Sequence, residues 1–203
     1  MTTPTIGLLT NPDQAAVSAL LSQAFAEDPA YEYFLSGCAP DAKARCLARL
    51  VRFIVAYHCQ SGMPVWGVTH QGELVACALL EVPGPGWRRA LALLCQLPKL
   101  IGRVPLSSVQ RMNDYARVSR QNLPGAVRFY LIKIGVAANQ QGQGLGKALI
   151  NAILDHYRQS DAILGLDTEN PDNVPLYQHL GFQLHDQIML DDLSIYRMYR
   201  PLK

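Results

Sequence analysis

Between Asn139 and Ile150 the chain reads NQQGQGLGKALI, with Gly142, Gly144 and Gly146 inside five residues and Lys147 directly after them. A helical pattern follows. The first turn of a helix leaves backbone N–H groups unpaired and carries a partial positive charge. Glycines there remove the side chains that would hold an anion away from those donors. A tight turn alone needs fewer glycines, so the stretch points to a phosphate site. Two common nucleotide motifs fail on residues. A Walker A loop needs G-x-x-x-x-G-K-[ST], but Gln141 occupies the first glycine position and Ala148 the hydroxyl position. A dinucleotide fingerprint needs G-x-G-x-x-G, and the third glycine comes one residue early. A nucleotide hydrolase is therefore disfavoured.

The loop needs a strand before it and a helix after it. VRFYLIKIGV, ending at Val136, reads as the strand, and LGKALINAILDHYRQS as the helix. AILGLDT is a further strand, NVPLYQHL a short helix, and FQLHDQIML with LSIYRMYRPL a closing pair of strands. Upstream, TIGLL reads as a strand and NPDQAAVSALLSQAF as a helix capped by Asn11 or Asp13. EDPAYEYFL reads as an aromatic-rich turn, and a long helix is expected from Asp41 to about Gln60. Residues 63–82 form a hairpin turning at His70-Gln71-Gly72. Helices are expected at about Arg88–Leu97 and Ser107–Arg120, within a helical insertion spanning about 83–125. This order of elements indicates a mixed α/β sheet, and no linker or repeat divides residues 1–203.

Composition bounds the function. The 203 residues are 49% hydrophobic and 17% charged, which describes a chain with a real core. A formal net charge of +2, with scattered basic residues, makes neither nucleic acid nor a membrane an expected partner. Cys38, Cys46, Cys59, Cys77 and Cys95 show no C-x-x-C spacing, and the histidines show no ligand spacing, so no metal is expected. Reduced thiols and an N-terminus without an apolar leader suggest the cytoplasm. RALALLCQLPKLIGRVPL is too interrupted to span a bilayer.

Gln141-Gly142-Gln143-Gly144-Leu145-Gly146 resembles the Q/R-x-x-G-x-G/A signature of the GNAT superfamily of acyl-CoA-dependent N-acyltransferases. TENPDNVPLYQHLGF, downstream, resembles the N-x-x-[AN]-x-x-x-Y-x-x-x-G-F pattern that follows the family's next strand. Together they are most similar to the puromycin acetyltransferase-like branch, and the resemblance is strong from Phe129 to Phe182. It implies a mixed, mostly antiparallel central sheet flanked by helices, with splayed central strands. It also implies N-acetyl transfer from acetyl-CoA to a primary amine of a small molecule or peptide, directly within a ternary complex.

Such transfer needs a held donor, a neutral amine, a stabilised oxyanion and a proton for the leaving thiolate. By resemblance, Gln141, Gly142, Gln143, Gly144, Leu145, Gly146 and Lys147 hold the CoA pyrophosphate, although Lys147 reads equally well as a solvated helix lysine. The backbone around Ile134, Gly135 and Val136 pairs with the pantetheine arm, and Ile134 or Val136 would polarise the thioester carbonyl. A glycine in a strand often marks a bulge or close approach, which suits Gly135. Asn170 matches the cofactor-contacting asparagine. Tyr177 matches the tyrosine near the sulfur and is taken as general acid, since a phenol is protonated at neutral pH. Asn173 reads better as a helix cap.

Many family members carry a glutamate on the central strand where this chain has Tyr130, a poor base at neutral pH. Glu169 is the named candidate base, with Asp28, Glu32 or a water chain as alternatives. The acceptor pocket is expected from the EDPAYEYF loop and the C-terminal strands, with Asp28, Tyr31, Tyr130 and Tyr196 as substrate contacts and Tyr33 and Phe34 as apolar wall. The insertion leaves room for a homodimer. From a different class, a non-catalytic acyl-CoA-binding sensor or structural module is the competing reading.

Overall fold

The computed structural model describes residues 3–125 and 127–202. The strands β1 (Thr5–Leu8), β2 (Val65–His70), β3 (Glu73–Glu81), β4 (Val127–Val136), β5 (Ile163–Thr168), β6 (Gln183–Leu190) and β7 (Leu193–Pro201) form one sheet ordered β1-β2-β3-β4-β5-β7-β6. Every pairing is antiparallel except β4 with β5. On one face lie α1 (Gln14–Ala24), α2 (Pro29–Phe34), α3 (Pro40–Gln60), α4 (Gly86–Gln96) and α5 (Leu106–Ser119); on the other lie α6 (Leu145–Tyr157) and α7 (Asn173–His179). No helix among the described residues is long and apolar enough to cross a membrane.

Alternation along the strands sends side chains into two cores. Cys77, Leu79 and Ile195 meet α1–α3 on one side, while Ala76, Ala78, Leu80, Leu164, Leu166 and Met198 meet α6 and α7 on the other. Asp13 caps α1, its Oδ1 accepting from the N–H of Ala15 at 2.8 Å and of Ala16 at 3.3 Å. The EDPAYEYFL stretch, expected as a turn, contains the helix α2. Asp28 at its N-cap accepts from Ala30 N–H and Tyr31 N–H, and Pro29 fixes the first helical φ. The remaining elements lie close to their expected limits.

Two irregularities shape the centre of the sheet. β4 pairs with β5 only from Val127 to Leu131, and beyond that point the strands have no pairing register. The β4 backbone from Ile132 to Val136 thus borders an open cleft. The second irregularity is a bulge: Leu79 opposes Lys133 and Leu80 opposes Leu131, so Ile132 has no partner. Tyr130, Ile132, Lys133 and Gly135 consequently face the α1–α3 side, whereas Leu131, Ile134 and Val136 face α6. The bulge sits at Ile132 and not at Gly135. Close approach at Gly135 is made by α1, since a Cβ there would lie 3.0–3.1 Å from Ala24, Leu21 and Leu20.

Candidate active site

After β4, a 3-10 turn (Ala138–Gln140) leads into the glycine loop. Gly142 and Gly144 have φ of 76° and 75°, a region that favours glycine, and a Cβ on either would meet nothing within 4 Å. The loop is therefore a left-handed turn with its outer side open. Gly144 is the N-cap of α6 and no side chain caps it, so the first-turn N–H groups are left for an external acceptor. Leu145 packs on the α6-side core, and Gly146 lies against Val136. Gln141 Nε2 donates to the Val136 carbonyl at 3.4 Å, tying the loop to the strand end. Gln143 and Lys147 point outward. Uncapped donors beside bare glycines suit a pyrophosphate.

The cleft between β4 and β5 opens into a cavity of about 320 Å³ that reaches both faces of the sheet. Ile134, Leu166, Thr168, Asn173 and Tyr177 border it from the α7 side. From the other side come Phe25, Asp28, Phe34, Phe53, Met112, Tyr115, Tyr130, Lys133, Asp167 and Glu169. No cysteine lines it.

Glu169 follows β5 directly and is buried, with Oε1 accepting from the Tyr115 hydroxyl of α5. Burial raises its pKa to about 7, against the opposing pull of the Lys133 ammonium and the Tyr115 hydrogen bond. A carboxyl that titrates near neutrality can take a proton from an ammonium and pass it on. Burial also raises the Tyr177 phenol, with the nearby Glu169 and Asp28 charges adding, so it stays protonated. Its hydroxyl has no hydrogen-bond partner among the described residues. Tyr130 donates to Asp167, lies under the Arg120 guanidinium at 3.4 Å, and is raised by burial and by the Asp167 charge. A phenol held this way cannot act as a base.

Lys133 carries its Nζ over the rings of Phe25 at 4.7 Å and Tyr31 at 4.8 Å. Burial opposes its charge, but Tyr31, Asp28, Glu169 and Asp167 around it outweigh that and hold its pKa above the usual lysine value. Burial raises Asp167 despite the hydrogen bond from Tyr130.

Several expected residues lie elsewhere. Tyr31 is in the core behind Lys133, and Tyr33 faces outward with its hydroxyl donating to Asp191 at 2.7 Å. Glu32 pairs with Lys43 on the surface. Tyr196 shares the strand side of Met198, the side of α6 and α7, and does not border the cavity. Asn170 uses its Oδ1 locally, accepting from Asp172 N–H at 3.0 Å, whereas Asn173 lines the cavity and donates Nδ2 to Thr168 Oγ1 at 3.3 Å. Tyr115, Arg120, Lys133 and Asp167 were not foreseen. A lysine inside an apolar strand is the one sequence signal that pointed to any of them. Among the described residues, no His, Cys, Asp and Glu group gathers that could hold a metal ion.

A sheet splayed between its parallel strands, with an uncapped glycine-bounded helix at the cleft and a carboxylate inside it, defines an acyl-CoA-type transferase. Residues 28–182 match the acetyltransferase (GNAT) family, and the chain belongs to that family. An uncharacterised N-acetyltransferase of Schizosaccharomyces pombe is 23% identical over 88% of this chain and 74% of its own length. The Corynebacterium glutamicum structure designated histone acetyltransferase HPA2 and related acetyltransferase superimposes with a TM-score of 0.71 at 22% identity, covering 98% of this chain and 97% of that one. A Salmonella typhimurium structure with its cofactor acetyl-CoA gives 0.54 at 15% identity, over 100% and 95% of the two chains. The protein is an N-acetyltransferase of GNAT type.

Proposed function

We propose that the protein transfers the acetyl group of acetyl-CoA to a primary amine on a small molecule or peptide, directly, in a ternary complex. The observation that carries this reading is the continuous cavity through the splay, with Glu169 and Tyr177 on its wall and no cysteine among its lining residues. Donor and acceptor entering from opposite faces meet without an enzyme-bound acyl group. Bound acetyl-CoA supplies the activated acetyl thioester. The α6 N-terminus and the loop from Gln141 to Lys147 hold its pyrophosphate. The open β4 edge from Ile134 to Val136 pairs with its amide-bearing arm. Asn173, rather than Asn170, borders the path toward the acetyl end.

Glu169 accepts the proton of the incoming ammonium, directly or through one water, because its pKa near 7 leaves it largely ionised at pH 7.5. Tyr177 keeps a proton to give to the departing sulfur. Asp28, Asp167 and Glu169 among Phe25, Phe34, Phe53 and Met112 suit a cationic amine on an apolar body. α5 lies over this half, so a compact small-molecule acceptor fits better than an extended chain. The likeness to the puromycin acetyltransferase-like branch rests on the two sequence motifs.

The test is thiol release from acetyl-CoA with an amine panel from pH 5 to 9. Wild-type kcat/KM should rise with an apparent pKa near 7. Glu169→Gln should lower it about 10²- to 10⁴-fold and remove that pH limb, leaving acetyl-CoA affinity intact. Tight acetyl-CoA binding without CoA release for any amine would favour the non-catalytic module instead.

A further inference from the structure

α4 is placed with its polar side inward and its apolar side in solvent. Arg89, Ala92 and Gln96 face the protein: Arg89 binds Glu81 and the Val82 carbonyl, and Gln96 Nε2 is buried without a partner. Trp87, Leu91 and Leu94 fall on one stripe of α4 at helical spacing, and Ile101 stands exposed in the turn that follows the short 3-10 helix. They are 64%, 53%, 72% and 75% exposed. A surface helix ordinarily buries that stripe.

Charge is equally one-sided. From Val82 to Asn113 the chain has no Asp or Glu, but has Arg88, Arg89, Lys99, Arg103 and Arg111. Past the end of α4, where Lys99 and Arg103 flank Ile101 in the chain, a groove among the start of α1, α3 and the turn after α4 has Arg49, Arg52, Lys99 and Arg103 among its lining residues and no carboxylate. The small net charge of the whole chain conceals this separation, which is why the sequence raised no expectation of a membrane partner.

We propose that the α4 stripe and the adjoining cationic groove form a docking surface for an anionic lipid membrane. Acyl chains cover Trp87, Leu91, Leu94 and Ile101 while lipid phosphates enter the groove, as an interfacial amphipathic helix requires. A nucleic-acid backbone would satisfy the cations and leave the stripe bare. A second copy would cover the stripe but bring the same cations to the interface with no carboxylate from this segment.

The experiment mixes the full chain with vesicles of phosphatidylcholine alone or with an equal part of phosphatidylglycerol. Trp66 is only 4% exposed, so a blue shift of tryptophan emission on binding reports on Trp87. Wild type should co-sediment with the anionic vesicles, shift to the blue, and dissociate as salt rises. Lys99→Glu with Arg103→Glu should weaken binding by more than tenfold, at roughly fivefold per cation removed. Leu94→Gln with Ile101→Gln should abolish the blue shift, and both double variants should keep the wild-type circular dichroism. The proposal is overturned by no co-sedimentation with anionic vesicles, or by binding that the charge reversal leaves unchanged. A concentration-dependent blue shift without lipid, accompanied by sedimentation as a dimer, also overturns it and assigns the stripe to a second copy.

Discussion

The two faces of the central cleft use different parts of the chain. In the proposed function, donor recognition falls to backbone: the glycine loop, the uncapped start of α6 and the open β4 edge. Acceptor recognition in that reading falls to side chains converging from α1–α3, α5, β4 and the end of β5. Backbone recognition needs a particular local geometry, so it leaves a compact spacing in the sequence. Side-chain recognition needs only convergence in space, and its members are scattered from Phe25 to Glu169.

The sharpest break of this contrast is Tyr177→Phe, because Tyr177 is the donor side's chief side-chain contribution. It should lower kcat about 10²-fold with little change in acetyl-CoA affinity. A loss under twofold would leave that side purely backbone. Next is Gly144→Ala, which forces a β-carbon into left-handed backbone at a cost of about 1–2 kcal/mol. Acetyl-CoA binding should weaken roughly 5- to 30-fold while the amine KM stays put; equal effects on both would show that the two sides are coupled. The smallest effect belongs to Tyr115→Phe. The Tyr115 hydrogen bond holds Glu169 below where burial alone would put it. Its loss should move the kcat/KM limb upward by roughly one unit, costing about fivefold at pH 7 and nothing at pH 9. A drop that persists at pH 9 would make Tyr115 structural.

Legibility in the sequence follows the same division. β4, α6, β5 and α7 were readable because their apolar periods are clean, glycines mark the β4–α6 junction and the end of α7, and the family pattern runs through them. α2 was hidden because six residues are too short to show a helical apolar period, so its Asp28-Pro29 start signal stood without a pattern behind it. Tyr115 and Arg120 were unreadable in principle: an α5 tyrosine and arginine carry no local mark of reaching Glu169 and Tyr130 across the fold. Tyr31 and Tyr196 do not border the cavity, because Tyr31 is packed into the core of α1–α3 and no side chain of β7 reaches the cleft.

The bulge at Ile132 acts as a phase shifter within β4. One unpaired residue lets the strand obey one inside–outside alternation before it and the opposite one after it. Without it, Gly135 would turn toward α6 and a bulky neighbour would drive into α1, where a single added carbon already lies 3.0–3.1 Å from three side chains. Deleting Ile132 would leave a regular strand with Leu131, Lys133 and Gly135 still on their present sides, whereas closing the bulge with Ile132 kept in the ladder would turn all that follows it over. The chain keeps time along this strand by carrying one beat too many.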